Sequence, residues 1–129
     1  ARYGLAHVVR FLTDIADTDL PALYAGAELF AYPSRYEGFG LPPLEALACG
    51  TPVLCGNTSS LPEVMGDAAL LVDVTSVDVL AASLLQLLGD ADLRGHLRAQ
   101  SPRQAARFSW RRTAELTLRV YEGVARTRR

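Results

Sequence analysis

The sequence predicts an α/β fold built on a parallel, doubly wound sheet, and three observations predict it. Short runs of β-branched and apolar residues recur without the polar alternation of a half-exposed strand. Helix-start and helix-stop residues separate these runs, so each strand leads into a short helix. From residue 76 onward only helical patterns remain. The 129 residues bound the chain to at most one domain, and 50% apolar content is enough for a core.

Taken in order, residues 7–12 (His-Val-Val-Arg-Phe-Leu) read as a first buried strand. Thr18 or Asp19 is expected to cap a short helix through Leu20, Leu23 and Tyr24, which Gly26 ends. Residues 29–32 form the second strand, and Pro33-Ser34 opens a loop at its carboxyl end. Residues 41–49 read as a helix with Gly40 as N-cap and Gly50 just past its end. The third strand covers residues 52–55, followed by a Gly56-Asn57-Thr58-Ser59 loop. Ser60-Leu61-Pro62-Glu63 is a capping-box pattern that starts a helix of one or two turns. Residues 69–72 form the fourth strand.

In the helical part, residues 76–88 place Val77, Leu80, Leu84, Leu87 and Leu88 on one stripe. Asp90 caps the next helix, with Leu93 and Leu97 buried and an interruption expected near Ser101-Pro102. Ser109 caps the last helix, where Trp110, Ala114, Leu118 and Tyr121 recur at helical spacing.

Composition excludes several classes. A net charge of −1 carries no global nucleic-acid signal. All 13 basic residues are arginine, so lysine catalysis within the chain is ruled out. Cys49 and Cys55 fall on different elements and form no Cys-x-x-Cys pair, so both are expected to be reduced core or near-core residues. No apolar run reaches membrane-spanning length, and no signal peptide is visible. The chain lacks an initiating Met and opens nearly in a strand, so it reads as a piece of something longer.

The chemistry concentrates in Tyr36-Glu37-Gly38-Phe39-Gly40-Leu41-Pro42-Pro43-Leu44-Glu45, with Glu37 and Glu45 eight positions apart. Gly38 and Gly40 are expected to take positive φ and to let a ligand approach the main chain. Pro42 and Pro43 suit the first turn of a helix, where an N–H has no intrahelical partner. Free amides from Gly38 to Leu41, together with the helix dipole, then make an anion site. Ligands of open α/β sheets bind outside the carboxyl ends of the strands, and both this loop and the loop after residue 56 leave such ends.

Each candidate also has a plainer account. Glu45 alone reads as a solvated or ion-paired helix residue, and Glu37 as an acid that fixes its own turn. Phe39 reads as a packing anchor as readily as a ligand contact. Ser34, Asn57, Thr58 and Ser60 read first as turn and cap residues, and Glu63 belongs to the same cap. His7 and His96 have no partner in the motif and read as structural. Two Asp-x-Asp triplets, Asp17-Thr18-Asp19 and Asp90-Ala91-Asp92, sit at helix starts and read as caps rather than metal ligands.

The motif resembles the signature of retaining glycosyltransferases of family 4, which have the GT-B fold. The likeness covers Glu37 through Glu45, then Ala46-Leu47-Ala48-Cys49-Gly50-Thr51-Pro52-Val53, Ser60-Leu61-Pro62-Glu63-Val64 and Gly66-Asp67-Ala68-Ala69. It extends back through Leu23-Tyr24-Ala25-Gly26-Ala27 and Tyr32-Pro33-Ser34. On this resemblance the chain is the carboxyl-terminal part of a GT-B donor-binding domain with a Rossmann-like sheet. Glu45 is implied to hold the ribose hydroxyls of a nucleotide diphosphate sugar. Glu37, the implied catalytic residue, lies near the donor sugar, whose hydroxyls meet the amides of Gly38, Phe39 and Gly40. The amide of Leu41 and the helix start hold the pyrophosphate. The implied reaction passes the sugar to a glycan or lipid-linked acceptor with retained anomeric configuration, without a required metal or other cofactor.

The resemblance also implies what lies elsewhere. The family's phosphate-contacting Arg and Lys, the first two strands of the domain and the acceptor domain all precede this segment. In the strand order 3-2-1-4-5-6 the absent strands would sit between residues 7–12 and 29–32, so the chain alone is expected to be inactive. Its sheet edge would invite self-association. The final helix of such enzymes crosses to the other domain, which would give Trp110 and Tyr121 a partner. Ten arginines lie from Arg94 onward against Glu115 and Glu122, a basic end that reads as a solvated face or as a contact for anionic lipid. The expected setting is a bacterial cytoplasm, at the inner face of the membrane, in polysaccharide assembly. A GT-B epimerase acting on nucleotide sugars, a two-carboxylate glycoside hydrolase and a non-catalytic nucleotide-sugar-binding fragment are the alternatives.

Overall fold

The computed structural model of the chain describes residues 3–127. Three parallel strands, β1 (Phe30–Tyr32), β2 (Val53–Gly56) and β3 (Ala69–Val72), form one sheet in the order β1-β2-β3. Phe30 pairs with Val53, and Val53 with Ala69, so the strands start level, and β1 stops at Tyr32 opposite Cys55 while β2 and β3 run on to Gly56 and Val72.

Between the strands lie α1 (Leu20–Gly26) before β1, α2 (Leu41–Ala48) after it and α3 (Leu61–Met65) after β2. Then come α4 (Val77–Gly89), α5 (Ala91–Ala105) and α6 (Trp110–Thr127). All four residues of β2 are buried, as its unbroken apolar run requires. Val53 and Cys55 face one way, into a cluster with Ala46 and Leu47 of α2 and Leu61, Val64 and Met65 of α3. Leu54 faces the other way, against Val72, Leu87 of α4 and Leu97 of α5. Alternation along a strand thus covers both sheet faces with helices, the doubly wound arrangement expected. Each fully buried leucine here stabilises the fold by roughly 1.5–3 kcal/mol.

The expected first strand does not form. A single 3₁₀ turn spans Leu5–His7, and residues 9–13 have no regular structure. Val8, Val9, Phe11 and Leu12 are exposed, Phe11 to 92%. A strand's N–H and C=O groups are satisfied by a neighbouring strand, and none of the described strands lies beside this segment. The sheet therefore has three strands where four were expected, with β1 at its edge.

Helix ends follow the sequence more closely. Ser76 accepts from the Val79 N–H at 3.3 Å, Asp90 from Leu93 at 2.8 Å, and Ser109 from Arg112 at 3.1 Å. Asp19 precedes α1 but makes no side-chain cap bond, because its own backbone is already helical. On α4 only Leu80, Leu84 and Leu87 face the core. Val77 and Leu88 lie on one margin of that stripe and are exposed to 79% and 48%. The expected break at Pro102 is absent: α5 passes it, and the buried Ser101 hydroxyl donates to the Leu97 carbonyl at 2.7 Å. Gln104 on α5 donates to the Val64 carbonyl at 2.8 Å and ties α5 to α3. No residue of α6 is buried, and Trp110 and Tyr121 are exposed to 77% and 69%.

Candidate functional site

The loop between β1 and α2 leaves the carboxyl end of the sheet and turns sharply at Gly40. Gly40 has φ 94°, in the left-handed region, and is buried. A Cβ there would lie 2.7 Å from Leu61 Cδ2, so both conformation and space call for glycine. Gly38 differs from expectation: it has no positive φ, and a Cβ on it would meet nothing within 4 Å. It leaves open space above the main chain rather than making the turn.

Gly40 is the N-cap of α2, and its carbonyl accepts from the Leu44 N–H at 3.2 Å. Pro42 and Pro43 follow within the first turn and have no N–H to leave unsatisfied. The N–H groups of Gly38, Phe39, Gly40 and Leu41 donate to no backbone acceptor in the turns and caps of the described chain. Four consecutive amides are thus free for a ligand at the positive end of the α2 dipole.

Glu37 is held on every side. The Tyr32 hydroxyl donates to Glu37 Oε1 at 2.6 Å. That bond first, with the nearby Ser34 hydroxyl, holds the Glu37 carboxyl below the usual carboxylate range, while Ser34 Oγ itself donates to the Tyr36 carbonyl at 3.1 Å. The same contact pushes the Tyr32 phenol up. The Glu37 N–H donates to Ser59 Oγ at 2.9 Å, and Ser60 Oγ donates to the Glu37 carbonyl at 3.1 Å. Beside them Thr58 Oγ1 donates to the Arg35 carbonyl at 3.0 Å. Gly56 lets the two loops meet, since a Cβ on it would collide with the Ser34 carbonyl.

These bonds correct the expected capping box. Ser60 is already in the helical region (φ −79°, ψ −16°) and makes no side-chain cap bond on α3. Its hydroxyl goes to Glu37 instead, so Ser60 and Glu63 no longer have the structural account the pattern suggested.

Glu45 lies one turn into α2, exposed, with Oε2 accepting from the Tyr24 hydroxyl at 3.2 Å. Burial, with the neighbouring Glu45 carboxylate, pushes the Tyr24 phenol up to about 12. Tyr24 packs edge-on against Phe30 (centroids 5.2 Å apart), and Phe30 stacks with Tyr32 (5.9 Å). One aromatic ladder on α1 and β1 therefore carries a hydroxyl to each acid. Phe39 meets Phe108 edge-on at 5.6 Å, which makes it a packing anchor, and it is still 38% exposed. A cavity of about 360 Å³ opens beside it, lined by Phe39, Leu41, Leu44, Phe108, Ser109, Trp110 and Thr113.

The profile of the family described as glycosyl transferases group 1 matches residues 1–104. The chain belongs to this family. Among curated glycosyltransferases it is 49% identical over 114 residues to the O-antigen chain mannosyltransferase B of Escherichia coli. That match covers 88% of this chain and 30% of the relative. It is 44% identical over 128 residues to the D-inositol 3-phosphate glycosyltransferase of Salinispora arenicola, covering 97% of this chain and 29% of the relative. Among solved structures, sucrose-phosphate synthase from Thermosynechococcus elongatus superposes with a TM-score of 0.87 at 28% identity. That superposition covers 98% of this chain and 32% of the synthase. The chain spans about a third of the length of the curated relatives it matches. The α/β, Rossmann-like fold expected from the GT-B resemblance is the one found.

In this glycosyl transferase chain the other singled-out residues fall outside the loop cluster. His7 contacts the Gly4 carbonyl and His96 contacts Gln100, both local pairs. Among the described residues, neither Asp triplet joins a group of three or more His, Cys, Asp or Glu. Cys49 and Cys55 are both free, and burial pushes the Cys55 thiol up to about 12. Arg94 is bound into the fold by Glu28 at 2.8 Å and by the Leu87 carbonyl at 2.8 Å. Two of the ten late arginines, Arg128 and Arg129, lie outside the described residues. No helix among the described residues is long and apolar enough to cross a membrane.

Reading by sequence missed Tyr24, Tyr32 and Ser59 as partners of the site. Tyr32 carried a usable signal, because a tyrosine at a strand's carboxyl end five residues before an acid can reach back across a Pro-Ser turn. Ser59 carried none.

Proposed function

We propose that this chain is the donor-binding part of a retaining glycosyltransferase that moves a sugar from a nucleotide diphosphate sugar to an acceptor hydroxyl. The observation that supports this best is the free amide run from Gly38 to Leu41, set at one sheet end between Glu37 and Glu45. Glu45 accepts two hydrogen bonds from the vicinal ribose hydroxyls, a task that suits an exposed carboxylate. The amides of Gly38, Phe39 and Gly40 meet the sugar hydroxyls, and that of Leu41 meets the pyrophosphate. Charge grows on the leaving phosphate as the glycosidic bond breaks, and preorganised donors stabilise it there. Glu37 stays ionised beside the reacting sugar, as its lowered pKa favours. Pro42 and Pro43 shape the turn without placing further N–H groups that water would have to satisfy.

Residues 1–129 correspond on this reading to the carboxyl-terminal portion of a GT-B donor domain. The cationic phosphate contacts and the acceptor site come from protein outside this segment. The chain alone is then inactive, and the free edge of β1 offers a route to self-association. Transfer needs no bound metal, so excess EDTA leaves the rate of the intact enzyme unchanged. The relative named as an O-antigen chain mannosyltransferase supports a hexose donor, a glycan acceptor and polysaccharide assembly. A cytoplasmic enzyme with its basic end toward anionic lipid follows from that role.

Saturation-transfer NMR with UDP-glucose, GDP-mannose and ADP-glucose tests the donor site, with Glu45→Ala as control. Transfer to one donor, abolished by the substitution, identifies the base. Equal binding by Glu45→Ala overturns the ribose role, and the same comparison on the intact enzyme covers a site that needs its missing neighbours.

A further inference from the structure

We infer that Thr58, Ser59 and Ser60 form a positioning clamp for Glu37, and that they control turnover rather than the capping of α3. This deepens the donor-site reading above and rests on it. Three consecutive side chains from the loop after β2 grip the loop after β1: Thr58 at the Arg35 carbonyl, Ser59 at the Glu37 N–H, Ser60 at the Glu37 carbonyl. Both polar groups of the Glu37 main chain are bonded across two loops that are 22 or 23 residues apart in sequence.

Two observations set this apart from ordinary loop bonding. Ser59 adopts φ 51°, a left-handed backbone conformation that residues other than glycine rarely take. It is the first central residue of a turn that the Leu61 N–H closes on the Thr58 carbonyl at 3.2 Å, a position that glycine ordinarily fills, and α3 takes no side-chain cap bond from Ser60. The strained residue is the one whose oxygen accepts the Glu37 N–H. Backbone strain held at such a point is found where the surrounding structure over-determines a functional geometry. With Tyr32 on the carboxylate and the two serines on the main chain, Glu37 is fixed in position and direction before a ligand arrives.

The clamp also sets the neighbouring amides. Gly38 follows Glu37 directly and has no side chain to anchor it, so the Ser60 bond to the Glu37 carbonyl orients the peptide that carries the Gly38 N–H. Thr58, Ser59 and Ser60 touch no reacting atom on this reading and act only through Glu37 and that peptide.

Three variants of the intact enzyme test the clamp by donor kinetics and thermal midpoint. Ser59→Gly relieves the left-handed strain, so its midpoint holds or rises, while Glu37 loses the acceptor for its N–H. The expected result is a fall in kcat of about 10- to 100-fold at nearly unchanged donor KM. Ser60→Ala falls likewise, and Ser60→Thr, which keeps the hydroxyl, recovers most of the rate. A Ser59→Gly enzyme with wild-type kcat, or losses that track the thermal midpoint across all three, overturns the clamp alone. A wild-type enzyme that transfers no sugar from any nucleotide donor overturns the donor-site reading and the clamp with it.

Discussion

The Tyr32 hydroxyl sits 2.6 Å from Glu37 Oε1 and donates to it, so the first acid of the glycine loop is held from within its own strand–loop unit. Tyr32 reaches it because Pro33 and Ser34 turn the chain back over the end of β1, where the Ser34 N–H bonds the Tyr32 carbonyl at 2.9 Å. The bond favours the ionised carboxylate and the protonated phenol together.

That pairing has a pH signature. A carboxylate whose folded pKa lies below its unfolded value binds fewer protons when folded, so its stabilisation is present above the ordinary carboxylate range. It is lost as pH falls through the depressed value. Tyr32 acts at the other end: its raised pKa stabilises the fold below the ordinary phenol range and ceases to do so as pH climbs through the raised value. Tyr32→Phe should move the Glu37 titration upward, read by carbon-detected NMR of its carboxyl. An unchanged Glu37 titration would show that the hydroxyl does not hold the charge.

Gly38 and Gly40 should respond in opposite ways to alanine. At Gly40 the new methyl meets Leu61 and the φ of 94° opposes it, so Gly40→Ala should cost on the order of 1–3 kcal/mol of stability. At Gly38 no heavy atom stands within 4 Å, and stability should change by less than about 0.5 kcal/mol. Donor binding should nevertheless weaken, because the methyl occupies the space a ligand would use. Urea denaturation and donor titration of the two variants separate the effects.

Glu45 is exposed and makes one side-chain bond, to Tyr24, so Glu45→Ala should leave the fold intact. Donor affinity should fall by about 10- to 100-fold, the usual weight of hydrogen bonds to a charged group. Tyr24→Phe should produce a smaller loss of affinity, since the carboxylate stays and only its orientation is freed. Isothermal titration of the intact enzyme with its nucleotide sugar checks both, and a Tyr24→Phe loss equal to that of Glu45→Ala would contradict this ranking.

Gln104 supplies a stability test far from the ligand. Its amide donates to the Val64 carbonyl in the interior and fills the space that a Cβ on Gly66 would enter. Gln104→Ala strands that carbonyl and should destabilise by about 1–3 kcal/mol. Chemical denaturation measures it, while Glu45-dependent donor binding should persist.

Local signals carried most of the fold. Strands β1, β2 and β3 appeared as continuous apolar runs because both faces of a parallel sheet are covered, and α2 began at Gly40 because a left-handed glycine and two prolines admit little else there. Asp90, Ser76 and Ser109 capped helices as their residue types favour. Residues 7–12 had equal local credentials and formed no strand, since a strand exists only with a neighbour to bond. Pattern also misassigned Ser60, whose hydroxyl had two partners within chemical reach. The local one was the α3 cap, and the distant one, the Glu37 carbonyl, took the bond.

By itself the sequence determined the order of helices and strands from residue 20 onward, the turn at Gly40, the two acids and the family to which they belong. Those properties depend on residue type and on spacing within a few positions, where backbone sterics and capping act. The tertiary structure alone decided which hydroxyl meets which acid: Tyr24 with Glu45, Tyr32 with Glu37, and Ser59 and Ser60 with the Glu37 main chain. Hydrogen bonds hold over about 3 Å, and only the packing of β1 beside β2 brings loops more than 20 residues apart into that range.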